Sequence, residues 1–263
     1  MKHALGRPPV ALLLVATLAV AVVALPLVAL VAQAHPKAIS EALRSQALRQ
    51  AMWLSLITSV ASTTICAVLG LPLAWVLARL TFPGRKLLRA LVAVPMLMPP
   101  VVGGVALEAA FGRTGLFGAP LLAHTGFSFP YTTWGVVLAH VFVCLPFVVI
   151  SLEGSLRALG QEYDVAAATL GASRWHAFRR VTLPLALPGI GASLLLGWAR
   201  SLGEFGATIT FNGNYPGTTQ TMPTLIYVAH ESDEQAVVAL SLIMLAVSIG
   251  ILVALRDRWL VAA

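Results

Sequence analysis

The chain is short of charge. Only 10% of its 263 residues are Asp, Glu, Lys or Arg, where soluble domains carry about 25%. It is also 59% hydrophobic, with a mean hydropathy of +0.89. That excludes a disordered chain, which needs low hydrophobicity and high charge. It also argues against one water-soluble domain, which could not hide so much apolar side chain. Lysine is scarcer still: Lys2, Lys37 and Lys86 are all there are, and none follows a glycine. A phosphate-cradling Walker loop needs Gly-Lys before Ser or Thr, so no nucleotide-binding loop is evident. Two cysteines, Cys66 and Cys144, lie inside long apolar runs and read as small buried hydrophobes rather than as a disulfide framework. No His, Cys and carboxylate spacing suggests a metal site. No nucleophile–base constellation suggests catalysis, no basic stripe with interleaved aromatics points to nucleic acid, and no internal repeat is visible.

What is there is a set of long uncharged runs: 8–36, 50–78, 90–107, 114–152, 181–199 and 235–255. A bilayer core of about 30 Å takes roughly 20 apolar residues of helix. Continuous apolar runs, rather than period-two alternation, choose helices over a closed barrel. The expectation is an all-α polytopic membrane protein with six transmembrane helices near 10–32, 52–77, 90–111, 133–152, 185–205 and 235–255. With the N-terminus placed in the cytoplasm, twelve of the 17 basic residues fall on the inner side. These are Lys2, Arg7, Arg79, Arg85, Lys86, Arg89, Arg157, Arg174, Arg179, Arg180, Arg256 and Arg258. The positive-inside rule then puts both termini in the cytoplasm. Lys2, Arg7, an apolar stretch and Ala32-Gln33-Ala34 imitate a cleavable signal peptide. The stretch exceeds the usual core of about 7–15 residues, so a retained first helix is expected.

Three connections carry information. In segment 35–50, Ile39, Leu43 and Ala47 share a helical face, which reads as an amphipathic helix lying on the membrane. In segment 153–184, EYDVAAATL (162–170) is helix-forming and Gly171 offers a left-handed break. Ser173 can cap a short second helix, SRWHAFRR, whose Arg179 and Arg180 suit a C-terminal end. Pro184 prevents its simple continuation. The expectation is a helical hairpin projecting into the cytoplasm, with small alanines for close packing and Trp175 and Phe178 as a docking surface. In segment 200–234, glycines and prolines alternate with Thr208, Thr210, Asn212 and Asn214. That is irregular backbone near the membrane, tolerated where it is packed in protein or lines a cavity.

The hairpin resembles the EAA loop of binding-protein-dependent ABC transporter permeases of the type I importer fold. That family shows Glu-Ala-Ala, then Gly, then Ile-x-Leu-Pro. Here Ala166, Ala167 and Gly171 match, and Val181-Thr182-Leu183-Pro184 supplies the ending. The Glu position is Val165, with Asp164 just before it as the carboxylate able to replace it. Residues 69–104 (LGLPLAWVLARLTFPGRKLLRALVAVPMLMPPVVGG) and 199–223 (ARSLGEFGATITFNGNYPGTTQTMP) look like the molybdate permease subgroup. Sulfate and tungstate permeases are close relatives of it. The resemblance implies a MetI-like fold, with an N-terminal transmembrane and amphipathic unit over 1–49, a transport core over 50–255 and a short tail over 256–263. It also implies a path formed by two copies of the chain, an extracytoplasmic molybdate-binding protein and a cytosolic ATPase dimer that holds ATP and Mg. The chain itself would bind no cofactor and catalyse nothing. ATPase coupling would fall to Asp164, Val165, Ala166, Ala167, Gly171, Ala172, Ser173, Trp175, Phe178, Leu183 and Pro184.

Charges at membrane depth are costly and usually functional. Arg200 and Glu204, four residues apart near the outer end of the fifth helix, are placed to pair on one face. They read either as a self-neutralising interfacial pair or as a gate and transient anion contact. In the second reading the guanidinium fork meets an oxyanion, and Thr208, Thr210 and Asn212 add neutral donors. No tight site is expected, because release must follow entry. Pro95, Pro99 and Pro100 are expected to kink the third helix, and His140 to be hydrogen-bonded to a neighbour. A secondary transporter working without ATP is the competing class; it predicts paired repeats with broken helices in both halves.

Overall fold

The structure, a computed structural model, describes residues 10–259. Lys2, Arg7 and residues 260–263 of the expected tail lie outside the described residues. Every regular element among the described residues is helical.

Helix α1 covers Val10–Ala32, the expected bounds, and has no buried residue. The short α2 (Pro36–Arg44) ends at Ser45, whose hydroxyl accepts from Leu48 N at 3.1 Å and so starts α3 (Gln46–Arg79). α2 buries Ala38 and turns Ala42 toward Leu48, Met222 and Leu240. Leu43, on the expected apolar face, is exposed. α7 (Thr133–Ala158) and α10 (Leu183–Leu202) complete the central bundle with α3, and α13 (Glu234–Trp259) closes the chain. α13 carries the helix four residues into the expected tail.

In lipid, helices gain little from hydrophobic exclusion and associate through close packing and hydrogen bonds. The bundle shows both. α3 and α7 run parallel: Cys66 meets Cys144, their thiols free and buried beside Val148, and Gly70 lies against Val148 and Val149. α10 runs antiparallel to α7. Gly189 faces Ser155, Ser193 Oγ donates to Ser151 Oγ at 3.0 Å, and Ser201 Oγ lies 3.0 Å from His140 Nδ1. Ser201 also bonds Ser62 Oγ at 2.7 Å, tying α3, α7 and α10 at one level.

The third span departs from a kinked helix. It is two helices, α4 (Arg85–Leu97) and α5 (Pro100–Phe111), bent by 116° at Met98–Pro99. A residue before proline is pushed out of the helical region. Met98 precedes Pro99 and Pro99 precedes Pro100, and both are extended, with ψ of 138° and 135°. Two consecutive extended residues make a corner rather than a kink. The pair contacts α7 at two levels: Arg89 on α4 reaches Glu153 near the end of α7, while Leu107 on α5 packs on Ala139 and Val143 in its first half. Five single helices among the described residues are long and apolar enough to cross a membrane, and the bent pair brings the number of candidate crossings to six.

Residues between the spans also fold. α6 (Gly118–Thr125) precedes α7. α8 (Glu162–Thr169) and α9 (Arg174–Ala177) form the hairpin between α7 and α10. α11 (Gly206–Asn212) and α12 (Met222–Ala229) lie between α10 and α13. Segment 200–234 is therefore largely helical and packed: Ala207 and Phe211 of α11 sit with Leu107, Ala139 and Val143 in one buried cluster.

Candidate functional site

The hairpin is built as the residues require. α8 carries Glu162 and Asp164 in its first turn, where negative charge suits the helix dipole. Its C-terminus is a Schellman closure: Gly171 N bonds Ala168 O at 3.0 Å, and Ala172 N bonds Ala167 O at 3.0 Å. Gly171 has φ of +83°, a conformation that side-chain-bearing residues rarely adopt. Ser173 Oγ then accepts from His176 N at 3.2 Å and caps α9.

The second helix does not stop at Pro184. A π-helical turn over Phe178–Thr182 joins α9 directly to α10, with Leu183 N bonded to Phe178 O. A wider turn takes the chain past a proline that lacks an N–H and crowds the preceding carbonyls. Arg179 and Arg180 are therefore mid-helix rather than at a C-terminus. The Arg179 guanidinium lies 5.9 Å from the Trp175 ring centroid.

Asp164 links α8 to two other elements. Its Oδ1 accepts from the Thr182 hydroxyl at 2.5 Å, and its Oδ2 lies 3.4 Å from Arg79 Nε at the end of α3. Trp75, one turn before Arg79, meets Phe178 edge-on at 6.0 Å between centroids. Arg79, Thr182 and Trp75 were not singled out from the sequence. The available signal was an aromatic and a base one turn apart at the basic end of a long helix.

The alanines are not packed within the chain. Ala166 and Ala168 are exposed, Ala167 and Ala172 half-buried, and Val165 and Pro184 exposed, with Leu183 half-buried. A cavity of about 320 Å³ opens beside them, lined by Trp75, Arg79, Asp164, Val165, Ala168 and Ala172. The hairpin also shows large apolar groups to the outside, with Leu170 89% and Trp175 65% exposed.

The second candidate site is the Arg200–Glu204 pair, with Nη1 2.6 Å from Oε2. It lies partway along α7 rather than at an end of it. The Arg200 guanidinium lies 5.8 Å from the Phe147 ring centroid. Phe147 is roughly 21 Å from the start of α7 and about 16 Å from its end, at 1.5 Å per residue. The pair sits at mid-bundle because α10 ends there and α11 continues the track, bringing Asn212 beside Gly135. Glu204 is 1% exposed, and its Oε1 accepts from Ala207 N at 2.9 Å, starting α11. Arg200 is 29% exposed.

The neutral donors expected around Arg200 do not form an open set. Thr208 and Asn212 are fully buried, and their side-chain polar atoms make no hydrogen bond among the described residues. Thr210 is exposed, but its hydroxyl donates to Gly206 O at 2.8 Å. His140, bonded to Ser201, belongs to the helix-tying network described above.

A bundle of five to six apolar, membrane-length helical spans with a capped helical hairpin on one end defines a polytopic membrane component. The chain belongs to the family of binding-protein-dependent transport system inner membrane components, whose sequence profile matches residues 70–262. It is 51% identical over 198 residues to the molybdenum transport system permease protein ModB of Mycobacterium tuberculosis, covering 75% of each chain. It is 38% identical to the ModB protein of Escherichia coli, covering 80% of this chain and 92% of the relative. The sulfate transport system permease protein CysT of Escherichia coli is 39% identical over 75% of this chain and 72% of the relative. Among solved structures, a bacterial ABC transporter that imports alginate matches with a TM-score of 0.74 at 19% identity, covering 94% of each chain. The methionine transporter MetNI matches with a TM-score of 0.65 at 16% identity, over 82% of this chain and 96% of that one. These structural likenesses establish the ABC importer permease fold.

Proposed function

We propose that this chain is the permease subunit of an ATP-driven molybdate importer. The observation that carries the cargo is the 51% identity to a molybdenum permease over 198 residues, above the 39% to a sulfate permease over 199. The chain would form the anion path as a homodimer, receive its cargo from an extracytoplasmic binding protein and draw energy from a cytosolic ATPase dimer that holds the ATP and Mg.

The hairpin supports the coupling role. Its backbone closes itself without help, its alanines and Trp175 stay open, and Asp164 ties it to both α3 and the base of α10. A push on the hairpin therefore reaches two membrane helices at once. The end of the bundle that carries it also holds Arg79, Arg85, Lys86, Arg89, Arg157, Arg174, Arg179 and Arg180, which supports a cytoplasmic hairpin. Six crossings then return both termini to that side. Arg200 at mid-bundle supports a path contact for a tetrahedral dianion.

A second cargo is favoured by one finding: CysT matches at 39%, level with the 38% of the Escherichia coli molybdenum protein. The decisive experiment reconstitutes the permease with its ATPase and binding protein. It measures ATP-dependent molybdate uptake against sulfate and tungstate as competitors. Uptake of molybdate resistant to excess sulfate is expected; preference for sulfate overturns the cargo.

A further inference from the structure

Two helix breaks meet in the middle of this bundle. α5 starts at Pro100 after the Met98–Pro99 corner, and α11 starts at Gly206 after α10 ends. A Cβ on Gly206 would stand 2.5 Å from Pro100 Cβ, so the two starts touch. Arg200 lies within two turns of this junction. The Arg200 side chain keeps 29% of its surface exposed, while Glu204 beside it is buried. A guanidinium at mid-depth with an exposed face does not look into lipid; it looks into protein or a wet cavity.

The ion pair has an uneven geometry. Glu204 Oε2 is 2.6 Å from Arg200 Nη1, yet receives no aligned hydrogen bond. The other oxygen, Oε1, is committed to Ala207 N, and the residue is 1% exposed. Glu204 is therefore buried and bonded to the start of α11, while the Arg200 guanidinium that it faces keeps an exposed part.

We propose that Arg200 is a transient mid-membrane contact for a tetrahedral oxyanion, and that Glu204 is a fixed counter-charge that keeps the contact short-lived. This rests on the permease reading above. The planar fork of guanidinium donors matches two oxygens of a tetrahedral anion. Left alone it would be a trap: charge attraction grows roughly fourfold when the effective dielectric falls from that of water to that of a protein site. A path must let its ion go. A carboxylate against the same guanidinium, unable to move aside, lowers the net attraction for every arriving dianion. Glu204 is thus a positioning and discharge residue rather than a structural neutraliser alone.

The test uses the full permease–ATPase complex in nanodiscs, without binding protein, for equilibrium binding of molybdate and of sulfate. Proteoliposomes with binding protein report uptake. Glu204→Gln keeps an acceptor for Ala207 N–H and removes the charge. Its expected effect is at least tenfold tighter dianion binding with at least tenfold slower uptake. Arg200→Gln is expected to lose both binding and uptake, and the double variant to behave as Arg200→Gln. Tighter binding with slower uptake is a pattern that a purely structural pair does not produce. If Glu204→Gln binds no more tightly than wild type, or Arg200→Gln transports normally, the proposal is overturned. Loss of thermal stability in both variants, with unchanged dianion affinity in Glu204→Gln, overturns it equally. If wild-type complex moves sulfate and not molybdate, the cargo reading fails, and the same contrast read with sulfate decides this proposal.

Discussion

The Thr182 hydroxyl donates to Asp164 Oδ1 at 2.5 Å, bridging 18 residues from the π-helical turn back to α8. Because Asp164 also faces Arg79, one carboxylate joins the first arm of the hairpin to α3 and to the base of α10.

That geometry predicts uncoupling. A hydrogen bond to a charged group contributes about 1.5–3 kcal/mol, and about 1.4 kcal/mol is tenfold in an equilibrium. Asp164→Ala should lower molybdate uptake about tenfold while ATP hydrolysis by the complex continues, and Thr182→Val should reproduce part of the loss. The ratio of anion transported to ATP hydrolysed in proteoliposomes is the measurement. An unchanged ratio would show that Asp164 carries no coupling.

Glu153 predicts a difference in stability. Its Oε1 lies 2.7 Å from Arg157 Nη2, its carboxylate also binds Arg89, and its side chain is 6% exposed. Glu153→Gln leaves two guanidinium groups facing each other without a charge between them. A loss of about 2 kcal/mol is expected, read as a lower melting temperature in detergent. Arg89→Met should cost less, about 1 kcal/mol or below, because Arg157 remains and Arg89 is partly solvated. Equal losses from the two substitutions would contradict this ranking.

Gly104 predicts a packing limit. A Cβ there would stand 2.6 Å from Thr210 Cβ and 3.0 Å from the Ala207 carbonyl oxygen. Gly104→Ala must push α5 from α11 and should cost about 1–3 kcal/mol. Thr210→Gly in the same chain should recover part of it. Thermal unfolding of the single and double variants checks the coupling; simple additivity would refute the contact.

Much of the hairpin was legible because its signals are local. Gly171 must take positive φ, Ser173 caps its own third neighbour, and both act within a few residues of chain. Pro184 misled for the same reason. A proline is a local stop, and only the wider π turn, held by contacts of Phe178 with Trp75 and of Thr182 with Asp164, carries the helix past it. The proline pair at 99–100 announced a distortion, but its 116° size depends on α5 finding α11 to pack on.

The sequence by itself determined the membrane class, the apolar runs able to cross and the place of the hairpin, since these follow from where apolar runs are long and charges are few. It also singled out Arg200 and Glu204, because a charge inside an apolar run is conspicuous without any coordinates. Only the tertiary structure decided their depth. α10 ends with Ser201 level with His140 and the Arg200 guanidinium reaching Phe147, and α11 carries the chain onward along α7, so the pair is held partway along the bundle rather than at its end. Depth depends on which helices lie alongside, and that is a contact across distant residues that no local run of sequence encodes.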